Sequence, residues 1–278
     1  MTPVATVPPA RLVILGHPIA HSLSPIMQTA ALRAIGVPLT YQALDVPPEQ
    51  LDATLDALAR EHAGGNVTIP HKEHVARRAR CTPLAVRVGA VNTFWHDAGE
   101  LIGHNTDVAG AVAVLQSLKP GGLRDTTCVL LGAGGSSAAV LVALTMLDCP
   151  DIALSARTPE RAERLSARVG VPVRIVANAA DLEAEARHAG LIINATPIGM
   201  HDDRMPIDPQ RMAPDAVAFD LVYRKELTSW IRACRAAGHA AEDGRRMLLE
   251  QGAAAFTCWF GQPAPFDVMA NALAAATD

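Results

Sequence analysis

Along the chain, short apolar runs typical of strands alternate with segments whose apolar residues have helical spacing. This pattern predicts strands and helices in alternation. The apolar run "RLVIL" at 11–15 is typical of a buried strand, which Gly16 ends. The run "SPIMQTAALRAI" at 24–35 has helical spacing, with Ser24 as the predicted N-cap and Pro25 in the first turn. The strand-like "TYQALDV" and "NVTI" and the helical "PEQLDATLDALAR" extend this order. We therefore predict an open α/β domain in the first part of the chain.

The second part of the chain alternates more regularly. The segments in order are "TTCVLLGAGGSSAAVLVALTML", "DIALSA", "PERAERLSARV", "VRIVA", "LIINATP" and "AVAFDLV". Strand, helix and strand in this order predict a Rossmann-type, doubly wound parallel sheet. Because the last 50 or so residues are again helical, we expect the C-terminal helices to return to the first domain. The predicted domains are residues 1–107 with 245–278, and residues 108–244.

Composition narrows the class of protein. The chain has 278 residues, of which 50% are hydrophobic and 4% aromatic, so the core is mostly aliphatic. A formal net charge of -4 argues against nucleic acid or an anionic membrane as the main partner. The five cysteines form no CxxC pair, which argues against a disulfide framework and a zinc site. No signal peptide and no long apolar span are recognised, and we expect a cytoplasmic protein.

The stretch "VLLGAGGSSAA" at 129–139 combines a buried strand, a glycine turn and a helix start. Gly132 permits a tight turn, and Gly134 lets backbone N–H groups approach a pyrophosphate at the helix N-terminus. Ser137 stands at the third glycine position of the usual pattern, so the motif is imperfect. A strand-to-helix turn in any α/β protein would share it, but the motif favours a dinucleotide.

The next strand indicates which dinucleotide. An NAD site usually carries an acidic residue about 20 positions beyond the first glycine, where it binds the ribose 2′-hydroxyl. Here "DIALS" ends without one, and Arg157 and Arg161 stand at the start of the following helix. Guanidinium groups bind a 2′-phosphate, so the sequence predicts NADP. Arg164 and Arg168 are interpreted as a solvated helix face.

Polar side chains cluster at the strand ends of the first domain. They are Ser22 and Ser24 in "HSLSP", Asn66, Thr68 and Lys72 in "GGNVTIPHK", Asn92 in "GAVNT", and Asn105, Thr106 and Asp107 in "GHNTD". Small ligands bind where such groups converge at the edge of an open α/β sheet.

These motifs resemble the shikimate dehydrogenase family. The same holds for "NTDVAG", "GAGGSSAA", "NATPIGM", "YRKELT" and "DGRRMLLEQGAAAF", in order along nearly the whole chain. The resemblance implies reversible, NADP-linked reduction of 3-dehydroshikimate to shikimate in aromatic amino-acid biosynthesis. It also implies a substrate-binding and catalytic first domain and an NADP-binding Rossmann domain.

The resemblance assigns roles position by position. Lys72 would be the catalytic lysine with Asp107 as its partner, and which of the two transfers the proton stays open. The substrate-binding positions would be Ser22, Ser24, Asn66, Thr68, Asn92, Thr106, Tyr223 and Gln251. The cofactor-binding positions would be Gly132, Ala133, Gly134, Gly135, Ser136, Ala156, Arg157, Thr158, Arg161, Thr196, Gly244 and Met247.

Four positions depart from the family pattern, and one is Ala138, where a basic residue is common after the glycine turn. Ala156 replaces the usual asparagine after the second nucleotide strand, which removes one expected contact to the ribose phosphate. Lys225 stands where the family has proline, and Gly65 where it often has a bulkier residue. His71 and His74 in "HKEH" lack a third ligand at sensible spacing, so no metal site is predicted.

Two other functions stay open at this stage. One is a family branch that oxidises quinate with NAD. The other is a non-catalytic NADP-binding regulator on the same fold, which the retention of Lys72 and Asp107 disfavours. The expected partner is the small-molecule substrate, with no nucleic acid and no membrane, and a homodimer stays open.

Overall fold

The computed structural model describes residues 2–277 and divides the chain into two compact units. The first unit runs to Gly110 and resumes at Leu248, and the second runs from Ala111 to Met247. The sequence predicts divisions after residues 107 and 244, close to these positions. Over residues 2–277, no helix has the length and apolar character needed to cross a membrane.

The first unit is built on a mixed six-stranded sheet in the order β2-β1-β3-β5-β6-β4. Its elements are β1 (Arg11–Gly16), α1 (Ser24–Ala34), β2 (Tyr41–Asp45), α2 (Leu51–Arg60), β3 (Ala63–Val67), α3 (Lys72–Arg78), β4 (Arg80–Cys81), α4 (Pro83–Val88), β5 (Thr93–Asp97), β6 (Glu100–His104), the start of α5 (Asp107–Leu118), most of α10 (Gly244–Phe260), and α11 (Phe266–Thr277). Gln28 on α1 donates a hydrogen bond to the Gly252 carbonyl on α10. The predicted return of the C-terminal helices to the first domain is therefore confirmed.

Strand direction explains why polar groups collect at one edge of this sheet. Strands β1 and β3 run parallel, whereas β5 is antiparallel to both β3 and β6. The carboxyl ends of β3 and β6 therefore lie beside the beginning of β5, where Asn66 and His104 both pair with Thr93. Residues after β3, before β5 and after β6 meet at this edge because the chain reverses direction twice.

Two local predictions differ from the structure. The N-cap of α1 is Leu23, not Ser24, because the Leu23 carbonyl already accepts the first helical hydrogen bond, from Met27. Ser22 Oγ instead accepts the Ser24 amide proton at 3.3 Å. Strand β3 ends at Val67, so Thr68 lies beyond the strand in which "NVTI" places it.

Gly65 is explained by its neighbour in the sheet. A Cβ atom built at Gly65 would lie 1.9 Å from the Val13 carbonyl oxygen of β1. No side chain fits there without moving the strand.

The second unit is a parallel six-stranded sheet in the order β12-β11-β10-β7-β8-β9. Its elements are the remainder of α5, then β7 (Thr127–Leu131), α6 (Gly135–Met146), β8 (Asp151–Ser155), α7 (Pro159–Val169), β9 (Arg174–Val176), α8 (Ala179–Ala186), β10 (Leu191–Asn194), β11 (Val217–Asp220), α9 (Ser229–Ala236), β12 (Ala241–Glu242), and the first turn of α10. The order reverses between β7 and β10, which is the arrangement of the Rossmann fold. The predicted fold class is confirmed.

Candidate active site

Lys72 and Asp107 form a close ion pair in the first unit. Lys72 Nζ lies 2.5 Å from Asp107 Oδ2, and the two side chains are 13% and 7% exposed. Thirty-five positions separate them in the chain, and each is the first residue of a helix that follows a strand. The α5 N-terminus also favours the negative charge of Asp107. The site therefore holds a positive and a negative group side by side with little water.

Asn92 joins this pair to the neighbouring polar groups. Its Nδ2 atom lies 2.8 Å from Asp107 Oδ1 and 3.1 Å from Gln251 Oε1. Its Oδ1 atom accepts the Thr106 backbone proton at 2.6 Å. Gln251 Nε2 in turn donates to the Leu248 carbonyl. Five of the predicted site residues, from four separate parts of the chain, thus form one hydrogen-bonded cluster.

Ser22, Ser24 and Thr68 follow the carboxyl ends of β1 and β3. The Thr68 amide donates to the Leu15 carbonyl at 2.8 Å, which continues the pairing of the two strands past β3. Ser22 and Thr68 are partly exposed, whereas Ser24 is 2% exposed. These hydroxyls lie at the same sheet edge as the Asn92 cluster.

Asn66 is buried and engaged in hydrogen bonds with its neighbours. It is 4% exposed, and its Oδ1 accepts the Tyr41 hydroxyl proton at 2.7 Å. Its Nδ2 donates to the Asn92 carbonyl and to Thr93 Oγ1, both at 3.0 Å. All its polar atoms are hydrogen-bonded within the protein, as those of Asn92 also are, and a contact of Asn66 with the substrate stays a prediction.

Sequence reasoning missed Tyr41 and Thr93, which belong to the same buried cluster. Tyr41 is 3% exposed and Thr93 is fully buried. Thr93 stands inside the quoted motif "GAVNT" and is the first residue of β5, whose first four residues are all buried. A polar residue at an inward position of that strand was the available signal.

The glycine turn of the second unit leaves room for a phosphate group. Gly132 has φ +113°, and a Cβ there would lie 2.6 Å from the Ala195 carbonyl oxygen. A Cβ at Gly134 would meet nothing within 4 Å. Helix α6 begins at Gly135, so its first backbone N–H groups, with Ala133 and Ser136 in the same turn, surround this open space. The residues present fit a dinucleotide pyrophosphate.

Arg157 and Arg161 are exposed at the tip of β8 and the start of α7. Neither side chain makes a hydrogen bond or an ion pair with another residue in 2–277, whereas the Arg174 side chain on the same sheet is paired with Asp151. Thr158 is the N-cap of α7, and half-buried Ala156 lies between strand and helix. Two uncommitted guanidinium groups at this strand tip suit a phosphate ester.

Thr196 lies across the reversal of strand order from the glycine turn. Its Oγ1 donates to Asn194 Oδ1 at 2.6 Å, and its hydroxyl oxygen accepts the Ile198 amide proton. Asn194 Nδ2 donates to Asp220 Oδ1 at 2.9 Å. Burial raises the pKa of Asp220 to about 6, despite the stabilising hydrogen bonds it accepts. Sequence reasoning did not single out Asn194 or Asp220.

Gly244, Met247 and Tyr223 lie in the second unit. A Cβ at Gly244 would come within 2.2 Å of the Leu221 carbonyl oxygen, so the start of α10 can approach the chain after β11 only at glycine. Met247 is 6% exposed, and Tyr223 is partly buried between β11 and α9.

The two histidines of "HKEH" are separately engaged. His71 is buried and donates from Nε2 to the Val46 carbonyl, and burial lowers its pKa. His74 Nε2 pairs with Asp52 at 3.0 Å. Within residues 2–277, no group of three or more His, Cys, Asp or Glu side chains is arranged to hold a metal ion.

Comparison with known proteins finds two matching family models and many similar chains. Residues 14–94 match the shikimate dehydrogenase substrate binding domain, and residues 244–274 match the shikimate 5′-dehydrogenase C-terminal domain. The shikimate dehydrogenase (NADP(+)) of Moorella thermoacetica is 41% identical over 94% of this chain and 91% of its own. That of Symbiobacterium thermophilum is 42% identical over 97% and 96%.

A solved structure gives the same result. Shikimate 5-dehydrogenase from Thermus thermophilus, in complex with NADP(H) and shikimate, matches with a TM-score of 0.86 and 37% identity. The match covers 96% of this chain and 99% of that one. The resemblance carried by the sequence motifs is confirmed, and the chain belongs to the shikimate dehydrogenase family.

Proposed function

We propose that this protein is an NADP-dependent shikimate dehydrogenase, an oxidoreductase that interconverts 3-dehydroshikimate and shikimate in the shikimate pathway. This step leads to chorismate and the aromatic amino acids. The observation that carries the proposal is the Lys72–Asp107 pair at 2.5 Å within a buried polar cluster, in a chain of this family. The five cysteines, unbridged where the structure describes them, fit a reducing compartment such as the cytoplasm.

The chemistry of the pair follows from the charge that develops on the substrate. Bound NADPH supplies the hydride to the substrate carbonyl. Negative charge then grows on the carbonyl oxygen, and a proton must reach it. The Lys72 ammonium stabilises that charge and donates the proton, while Asp107 holds the amine in position. In the oxidation of shikimate, the same two groups take up the hydroxyl proton, and they act as one unit.

Recognition of the substrate is assigned to hydroxyl and amide groups. In this proposal Ser22 and Ser24 bind the substrate carboxylate, since hydroxyls near a helix start suit an anion. Thr68, Asn92, Thr106 and Gln251 bind ring hydroxyls, and Tyr223, in the second unit, keeps the substrate-binding role that the family motif implies. A site built to bond a hydroxyl rejects analogues that lack it. The shared sheet edge of Ser22, Thr68 and the Asn92 cluster supports this assignment.

Preference for NADP is assigned to Arg157 and Arg161. The exposed, uncommitted guanidinium groups support a contact with the 2′-phosphate. Gly132, Gly134 and the start of α6 would hold the pyrophosphate, and Thr196, Gly244 and Met247 would contact the rest of the cofactor. Because Ala156 lacks the amide that the family usually has there, the two arginines provide the main discrimination.

The experiment is a comparison of four substrate pairs with the purified wild-type protein. Shikimate and quinate are each offered with NADP and with NAD, and formation of reduced nicotinamide is followed by absorbance. We expect the highest kcat/KM for shikimate with NADP. A higher value for quinate with NAD would assign the chain to the quinate branch instead. Binding of NADP without turnover of either substrate would identify a non-catalytic regulator.

A further inference from the structure

We propose that Thr93 is a positioning residue for the catalytic pair, acting through Asn92 and supported from behind by Asn66 and Tyr41. The inference rests on the proposed function, since it concerns how the carboxylate of Asp107 is held. In this proposal the side chains of Thr93, Asn66 and Tyr41 do not need to touch the substrate. Their hydrogen bonds form a continuous buried path from Tyr41 to Asp107.

The hydrogen bonds of Asn66 fix the orientation of its side-chain amide. Asn66 Nδ2 donates to the Asn92 carbonyl at 3.0 Å, and a carbonyl can only accept. The amide orientation of Asn66 is thereby set, and its Oδ1 must accept from the Tyr41 hydroxyl at 2.7 Å. The second Nδ2 proton is directed at Thr93 Oγ1, 3.0 Å away.

The orientation of the Asn66 amide in turn determines where the Thr93 hydroxyl donates its proton. Since its oxygen accepts from Asn66, its own proton is directed to Asn92 Oδ1 at 3.2 Å or to Thr106 Oγ1 at 2.9 Å. The Thr106 backbone N–H also donates to Asn92 Oδ1, at 2.6 Å. In the first case the Thr93 hydroxyl donates to Asn92 Oδ1 directly, and in the second the Thr106 hydroxyl donates to it, at 3.3 Å. In both cases the oxygen end of Asn92 faces the Thr106 N–H and a hydroxyl donor whose direction Thr93 sets.

The consequence falls on Asp107. With its oxygen held by donors, Asn92 must present Nδ2 to Asp107 Oδ1, at 2.8 Å. A flipped amide would oppose its oxygen to the carboxylate and its NH₂ to the Thr106 N–H. Asp107 then keeps one oxygen for Asn92 and the other for Lys72. The path thus orients the carboxylate that positions the lysine.

Burial makes these hydrogen bonds hard to replace. Tyr41, Asn66, Asn92, Thr93 and Thr106 are all 4% exposed or less, so water cannot easily replace a missing partner. An apolar side chain of the same size would fill the Thr93 position equally well. The hydroxyl is therefore explained by its hydrogen bonds and not by packing.

The test compares Thr93→Val, which removes the hydroxyl with little change of volume, with Thr93→Ser, which keeps it. We expect Thr93→Val to lower kcat for shikimate oxidation by roughly ten- to a hundredfold, because small displacements of catalytic groups cost about that much. The KM for NADP should stay within about twofold, and Thr93→Ser should retain kcat within about threefold. In an Asn92→Ala background, Thr93→Val should have little further effect, since the two act in series.

Other outcomes overturn the inference. Wild-type kcat in Thr93→Val shows that the hydroxyl positions nothing. Equal losses of kcat in the Val and Ser variants, or additive losses with Asn92→Ala, show a general packing role. Failure of the wild-type protein to oxidise shikimate would instead remove the proposed function, and this inference with it. Circular dichroism and the melting temperature of each variant identify any loss that comes from unfolding.

Discussion

Replacing Lys72 by methionine removes the ammonium group and keeps most of the side-chain volume. General acid–base catalysis is typically worth about 10²–10⁴ in rate, so kcat should fall by that factor, or about 3–5 kcal/mol of transition-state stabilisation. The KM for shikimate should change less, because the hydroxyls of Ser22 and Thr68 remain. The amine thus contributes to the transition state more than to the bound substrate.

The same substitution should also lower stability. The two side chains are 13% and 7% exposed, and removal of one partner from a buried ion pair costs roughly 3–5 kcal/mol. Asn92 still donates to Asp107 Oδ1, so we expect the lower end, about 3 kcal/mol. Adding Asp107→Leu removes the unpaired carboxylate, and the double variant should recover much of the stability with none of the activity.

Two measurements on the same samples separate these effects. Steady-state oxidation of shikimate gives kcat and KM, and urea unfolding gives the free energy of unfolding. Lys119→Met is the matched control, because Lys119 is also partly buried but lies just beyond α5 in the second unit. A Lys72→Met variant with near wild-type kcat would refute the catalytic role. A double variant as unstable as the single one would refute the account of the buried charge.

Three further predictions concern the cofactor and pH. Arg157→Ala should weaken NADP binding by roughly ten- to a hundredfold and leave NAD binding almost unchanged. Titration calorimetry measures both affinities, with Arg164→Ala as the control. Equal losses of NADP and NAD affinity would contradict the phosphate contact. Burial raises the pKa of Asp220 to about 6. Its contribution to stability is therefore present below the ordinary pKa of 3.8 and lost as pH rises through about 6. The free energy of unfolding should fall by about 3 kcal/mol over this range. Asp220→Asn should remove this loss in urea unfolding between about pH 4 and 7, and an unaltered difference from wild type across that range would disprove the assignment. Burial lowers the pKa of His104 to about 4, so its contribution to stability is present above the ordinary value of 6.5 and lost as pH falls to about 4. His104→Asn should therefore remove a pH dependence of stability of opposite sign, also about 3 kcal/mol. A variant that loses more stability in acid than the wild type would contradict this account.

Periodicity was sufficient for the class of fold and for most elements. The buried run before Gly132 and the helix after it follow from local pattern, and the parallel order of the second sheet follows from strict alternation. The turn between β5 and β6 is equally local, with Ala98 and Gly99 both at positive φ. These features depend on residues close together in the chain, which is why pattern alone can reach them.

Motifs identified Lys72 and Asp107 as chemically important, but their separation of 2.5 Å depends on two reversals of the chain around β5. The environment of Asn66 was equally hidden. Its amide looks available in the sequence, yet Tyr41, Asn92 and Thr93 use every polar atom that it has. Hydrogen-bond satisfaction is a property of neighbours in space, so the sequence alone does not reveal it.

The sequence by itself determined the alternation of elements, the glycine turn, and the residue types from which a dehydrogenase site is made. Only the tertiary structure decided which of those residues touch, which amide faces which partner, and how far each carboxyl is removed from water. The reason is physical: backbone periodicity is a local preference repeated along the chain. Ion pairing, burial and pKa depend instead on groups brought together from distant positions.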